Sequence, residues 1–199
     1  TPVPTPAAVF DYAVIIDNEK IFSQDFSFID MGGATTDYYS SVCEQNEVNV
    51  IRKGIREPQI KRTVEGDLGM RISAISAIES DSHSARVQVD NRGLDWDRFS
   101  KYLIYISKNT EFIPIEEEEK QFDSILAGCC TTNATIRHGG TRRQVYTASG
   151  SAIVETGRNL KNIKTIIGTG GYLASLKGNP FIQYKIPEIN NNCEEILRP

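Results

Sequence analysis

Phe26-Ser27-Phe28-Ile29-Asp30-Met31-Gly32-Gly33-Ala34-Thr35-Thr36-Asp37-Tyr38-Tyr39-Ser40-Ser41-Val42 is the stretch that decides the fold. A short apolar run through Asp30 is broken by paired glycines and resumes at Thr35 as a β-branched and aromatic run, the pattern of two strands joined by a tight glycine turn. A third strand is expected over Glu47 to Arg52, where Val48 and Val50 alternate with polar neighbours, so that the three make a meander. The turn also carries chemistry. A carboxylate at a strand end, glycines that let backbone amides approach an oxyanion, two hydroxyls and a second carboxylate at Asp37 suit a phosphate tail with its magnesium. A hairpin turn with no ligand explains the same glycines.

Upstream, Pro2, Pro4 and Pro6 predict an extended lead over residues 1–10, because each proline fixes its own φ and disfavours helix in the residue before it. Downstream, Arg62-Thr63-Val64-Glu65-Gly66-Asp67-Leu68-Gly69-Met70-Arg71 packs charges and glycines around an expected helix start. Capping and turn formation account for Thr63, Asp67 and the glycines, and Arg62, Glu65 and Arg71 are left as functional candidates. Leu68, Ile72, Ile75 and Ile78 fall at helical spacing, which predicts a helix from near Asp67. A second is expected from Asp95, as N-cap, to Ser107, with Phe99, Leu103 and Ile106 inward. A third starts within Glu116-Glu117-Glu118-Glu119, carries Phe122, Ile125, Leu126 and Cys129 inward, and stops at Gly139-Gly140. The acidic run is read as a solvated helix start. Arg137 and His138 lie at the far end, either complementing the helix dipole or touching a phosphate or partner.

Gln144–Thr147 and Ala152–Glu155 flank Ala148-Ser149-Gly150-Ser151 and predict a hairpin. A buried strand over Ile163 to Ile167 then leads into Gly168-Thr169-Gly170-Gly171 and a helix from Tyr172, a second place where backbone amides can meet an anion. Two such turns on neighbouring strands would hold the two ends of one nucleotide. From Asn179 to Pro199 the pattern weakens, with a loop at Asn190-Asn191-Asn192.

Composition excludes several classes. The 199 residues are 39% apolar and 24% charged, within the range of folded domains long enough to bury a core without staples. With 22 basic against 26 acidic residues the net charge is −4, not the footprint of a nucleic-acid binder. No apolar run is long enough to span a bilayer and no signal-peptide pattern opens the chain, so a cytoplasmic location is expected. Cys43, Cys129, Cys130 and Cys193 have no Cys-x-x-Cys spacing, and with only His83 and His138 beside them they read as buried, reduced thiols. No Ser-His-Asp or Cys-His nucleophile set is legible.

The segments IDMGGATTD, RTVEGDLGMR, RHGG and IIGTGG, in this order, resemble the MutL/GlmL family over roughly residues 5 to 180. This family comprises accessory proteins encoded with adenosylcobalamin-dependent mutases such as glutamate mutase and D-ornithine aminomutase, and is unrelated to the mismatch-repair protein of the same name. The resemblance implies an α/β fold of the actin, sugar-kinase and heat-shock ATPase superfamily, ribonuclease H-like, with a mixed five-stranded sheet flanked by helices. It implies ATP with magnesium as the ligand. Asp30 would stand near magnesium, acting through water, and near the attacking water. Gly32, Gly33, Thr35 and Thr36 would lie at the phosphates, and Gly168, Thr169, Gly170 and Gly171 at the nucleoside. Arg62, Glu65, Asp67, Arg71, Arg137 and His138 belong to the family's motifs without a set role.

Superfamily members have two such domains, and the first phosphate loop, an Asp-x-Gly turn, is not present: Asp11 is followed by Tyr12 and Ala13, and Asp17 by Asn18 and Glu19. Residues 11–199 are therefore expected to be the second half of a two-domain protein, hydrolysing ATP only with the first. The implied function is that of a chaperone or reactivating factor whose partners are the mutase or aminomutase subunits, with no nucleic acid, no membrane and no cobalamin bound directly. Two rivals are half of a hydantoinase- or oxoprolinase-like ATP-dependent amidohydrolase, and a non-catalytic interaction domain that kept the fold and lost the nucleotide.

Overall fold

The structure, a computed structural model, describes residues 5–43, 47, 49–148, 150–176 and 194–197. In chain order the elements are α1 (Thr5–Asn18), β1 (Phe26–Met31), β2 (Thr36–Ser41), β3 (Val50–Lys53), β4 (Ile60–Glu65), α2 (Ala74–Glu79), α3 (Ser82–Asn91), α4 (Trp96–Lys108), α5 (Glu117–His138), β5 (Gly140–Thr147), β6 (Gly150–Thr156), β7 (Thr165–Thr169), α6 (Gly171–Ser175) and β8 (Glu194–Leu197).

Strands β1 and β2 are buried almost throughout because both faces of their sheet are covered. Phe26, Phe28 and Tyr39 pack with Ala13 and Ile16 of α1 on one side. Ile29, Met31 and Tyr38 join Ile125, Leu126 and Cys129 of α5 on the other. The hairpin and its glycine turn are as the sequence predicts, with Phe26 opposite Ser41 and Met31 opposite Thr36. α4 and α5 also match, α4 with the Asp95 carboxylate accepting from the Arg98 amide and α5 with a capping box between Glu116 and Glu119. The acidic run thus satisfies the open amides of α5. The β5–β6 hairpin is likewise present.

The sheet arrangement corrects the expectation of one five-stranded sheet. The chain is mixed α/β, and among the described residues it forms two four-stranded mixed sheets, ordered β4-β2-β1-β7 and β3-β6-β5-β8. The third strand of the meander is β4, antiparallel to β2, while β3 runs parallel to β6 in the second sheet. Alternation marks a strand but not its sheet, and β4, at the edge, carries the polar residues that made it resemble a capping region.

Three further expectations change. Residues 5–18 form a helix where an extended lead was expected. Pro6 falls in its first turn, where a missing N–H breaks no helical bond, and Ala13 and Ile16 supply the buried face. The helix expected from Asp67 starts only at Ala74. Ile72 and Ile75 are exposed, and Ala74, Ala77 and Ile78 form the buried side. The last buried strand begins at Thr165, not Ile163, and is only partly buried because it lies at an edge. Cys129 and Cys130 are buried thiols as expected, whereas Cys43, just beyond the end of β2, is exposed. The loop expected at Asn190-Asn191-Asn192 and Cys193 lie outside the described residues, whereas 194–197 pair with β5.

Candidate functional site

Strand β7 runs parallel to β1 with Thr169 opposite Asp30, so the turns that follow the two strands open at the same sheet end. The Thr169 hydroxyl donates to Asp30 Oδ1 at 2.8 Å. Gly170 has φ +90°, and a Cβ there would lie 2.1 Å from the Met31 carbonyl oxygen, so this close approach of the second turn to β1 requires glycine. Gly171 opens the one-turn helix α6, and Gly168 lies under Leu173.

In the first turn the Gly32 amide donates to the Thr35 carbonyl at 2.8 Å, while the amides of Gly33 and Ala34 enter no backbone hydrogen bond among the described residues. Gly32 and Gly33 are exposed. The RTVEGDLGMR segment braces this turn from beneath. The Met70 amide donates to Gly32 O at 3.0 Å and the Arg71 amide to Gly33 O at 2.8 Å. The Thr36 hydroxyl, fully buried, donates to Leu68 O at 2.8 Å and so faces the brace, not the opening. A Cβ on Gly69 would meet the Ala34 carbonyl carbon at 2.5 Å.

Asp37 sits opposite Asp30 across the β1–β2 pair. Its Oδ2 accepts from Arg62 at 2.6 Å and from the Tyr39 hydroxyl at 3.1 Å. Its Oδ1 is buried with no partner among the described residues. Burial, then the Asp37 charge, pushes the Tyr39 phenol well above its ordinary value. This end of the sheet therefore holds an ordered carboxylate at Asp30 and a second with one oxygen unsatisfied.

The remaining motif residues stand apart from that opening. Arg71 directs its guanidinium to Asp123, at 3.0 Å, and to the Phe112 carbonyl, at 3.1 Å. Arg137 binds Asp67 through both terminal nitrogens, at 2.6 and 2.9 Å, and Glu65 at 2.9 Å; the hydrogen bond from Arg137 holds the Asp67 carboxyl below its usual range. His138 is buried, its ring between Ser40 Oγ at 2.7 Å and Thr63 Oγ1 at 2.8 Å. Burial, then the positive charges of Lys61 and Arg158, pushes its pKa down to about 3. These contacts tie the end of α5 to β2 and β4. The sequence marks Asp37 as a second carboxylate but not the burial of its unpartnered oxygen, and it does not single out Asp123, although an aspartate inside the apolar face of a helix signals a buried partner.

The profile of the family described as "MutL protein" matches residues 1–199. The chain belongs to the MutL family. "Protein MutL" of Clostridium tetanomorphum is 39% identical over 184 residues, covering 89% of this chain. This MutL-family chain spans 39% of that relative's length. No solved structure matches it. Among the described residues, no helix is long and apolar enough to cross a membrane.

Proposed function

We propose that this chain forms one wall of a nucleotide cleft in an ATPase-like accessory protein that reactivates an adenosylcobalamin-dependent mutase or aminomutase, of the glutamate mutase or D-ornithine aminomutase type. The supporting observation is the pairing of the two glycine turns on the adjacent parallel strands β1 and β7, with Asp30 between them. Gly33 and Ala34 would offer their uncommitted amides to phosphate oxygens, with Thr35 beside them. Gly168, Thr169, Gly170 and Gly171 would border the nucleoside. No group of three or more His, Cys, Asp or Glu gathers as a metal cage among the described residues. A hard cation would then be held by Asp30, through water, together with phosphates, the usual habit of magnesium, while the unpartnered oxygen of Asp37 is buried and its other oxygen is paired with Arg62. Thr36 would act beneath the turn, through Leu68.

The chemistry that magnesium-ATP supplies when bound is a preference for one arrangement of the cleft over another, which shifts the population between them. The chain's own part is to present amides, hold the Asp30 carboxylate in place and resist collapse of the turn through the 66–71 brace. The proposed output is loosening of the mutase so that damaged cofactor leaves.

The test is calorimetric titration of magnesium-ATP into this chain and into a longer protein carrying a further domain. Binding to the longer protein alone supports a cleft with two walls. No binding to either would replace this reading with a non-catalytic interaction domain.

A further inference from the structure

Residues 112–115, between α4 and α5, adopt no regular secondary structure, and Ile113 and Ile115 are 77% and 78% exposed. Phe112 is anchored beneath them. Its ring packs edge-on to Tyr105, centroids 5.1 Å apart, and its carbonyl accepts from the Arg71 guanidinium. That hydrogen bond fixes the backbone from which Ile113 projects. Two isoleucines on one segment beside an anchored residue differ from scattered surface apolar residues, because Arg71, paired with Asp123, holds the Phe112 carbonyl from which they lead.

The rim has one sign. Residues 111–119 contain Glu111, Glu116, Glu117, Glu118 and Glu119 and no Lys or Arg. Glu118 is paired with Arg98, and Glu117 is near Lys120. Glu111, Glu116 and Glu119 have no cationic partner among the described residues. Lys108, at the end of α4, and Lys120 bracket this segment in sequence.

We propose that Ile113 and Ile115 form a docking ridge for an amphipathic, lysine- and arginine-rich segment of a partner protein. Apolar anchors would cover the isoleucines, and cations would meet the glutamates around them. The charge complementarity selects this occupant. An anionic membrane or a second copy of the same acidic ridge would meet repulsion. The proposal stands independently of nucleotide binding.

The test uses the full chain and a fluorescein-labelled amphipathic helical peptide of leucine and lysine, followed by anisotropy at low and high salt. The expected result is saturable binding that weakens with salt and falls at least about tenfold, roughly 1.4 kcal/mol, in Ile113→Glu/Ile115→Glu. A similar loss is expected in Glu111→Lys/Glu117→Lys, and none in Ile55→Glu, which alters an isoleucine exposed elsewhere. All the substituted side chains are exposed, and unchanged thermal midpoints establish that each variant is folded. Equal binding by the isoleucine double variant overturns the proposal. So does binding to phosphatidylserine vesicles, or concentration-dependent dimerisation, that this variant abolishes.

Discussion

The carbonyl oxygen of Met31 occupies the place where a side chain on Gly170 would begin: a Cβ there falls 2.1 Å away, at a backbone φ of +90°. Contact and conformation both demand glycine, so Gly170→Ala must push β7 off β1 or twist the turn. Equilibrium denaturation is expected to show a loss of about 2 kcal/mol or more. Gly171→Ala is the control. Nothing lies within 4 Å of its Cβ position, and its change should stay within about 0.5 kcal/mol. Equal effects at the two positions would mean that the close approach does not constrain the sheet.

His138 gives the fold a specific pH dependence. Its pKa of about 3 in the fold lies below the ordinary histidine value of 6.5, so between those pH values the unfolded chain binds the proton that the folded chain does not. The stabilisation from a neutral His138 is complete above pH 6.5 and is lost as pH falls toward 3. Denaturation midpoints should show stability falling by up to about 1.4 kcal/mol per pH unit between pH 6 and 4. In His138→Gln this slope should flatten, with some loss of stability at pH 7. A slope unchanged by the substitution would assign the effect to other groups.

The hairpin, its glycine turn, α4 and α5 were legible because each signal is local. Gly32-Gly33 breaks two apolar runs, Asp95 caps α4, and Phe122, Ile125, Leu126 and Cys129 keep one helical phase. The division into two sheets was not, because pairing of Val50 with Ile153 depends on contacts distant in sequence. At the site, the sequence showed Asp30 and both glycine turns but not the brace. Arg62-Thr63-Val64-Glu65 carries the composition of a cap and turn, yet it is the edge strand that leads into the loop under Gly32 and Gly33. Leu68 and Ile78 fit a helical face by spacing, but Gly69 lies within that window and is needed for contact with Ala34.

The Arg71–Asp123 pair ties that loop to α5. Asp123 is 1% exposed and also accepts from the Tyr102 hydroxyl at 2.8 Å, so removal of Arg71 leaves a buried carboxylate with one neutral donor. Arg71→Ala and Asp123→Ala are each expected to cost about 3 to 5 kcal/mol, and the double variant much less than their sum, because the second change removes the charge stranded by the first. A double-mutant cycle by chemical denaturation measures this. Strict additivity would mean that the two groups act separately.

Asp30 separates a structural from a chemical role at the candidate site. Among the described residues its one hydrogen bond from a side chain comes from Thr169, near the open end of the sheet, so Asp30→Ala removes a carboxylate without opening the core. The fold should persist, with far-ultraviolet circular dichroism unchanged. If the longer protein hydrolyses magnesium-ATP as the proposed function allows, that turnover should fall by a factor on the order of 100, as when a preorganised charged or polar group is removed from a reaction centre. Thr169→Val keeps the carboxylate but frees it to rotate, and a smaller loss is expected. Full turnover in Asp30→Ala would remove this carboxylate from the proposed chemistry, while loss of the fold would show that its bond to Thr169 holds β1 and β7 together.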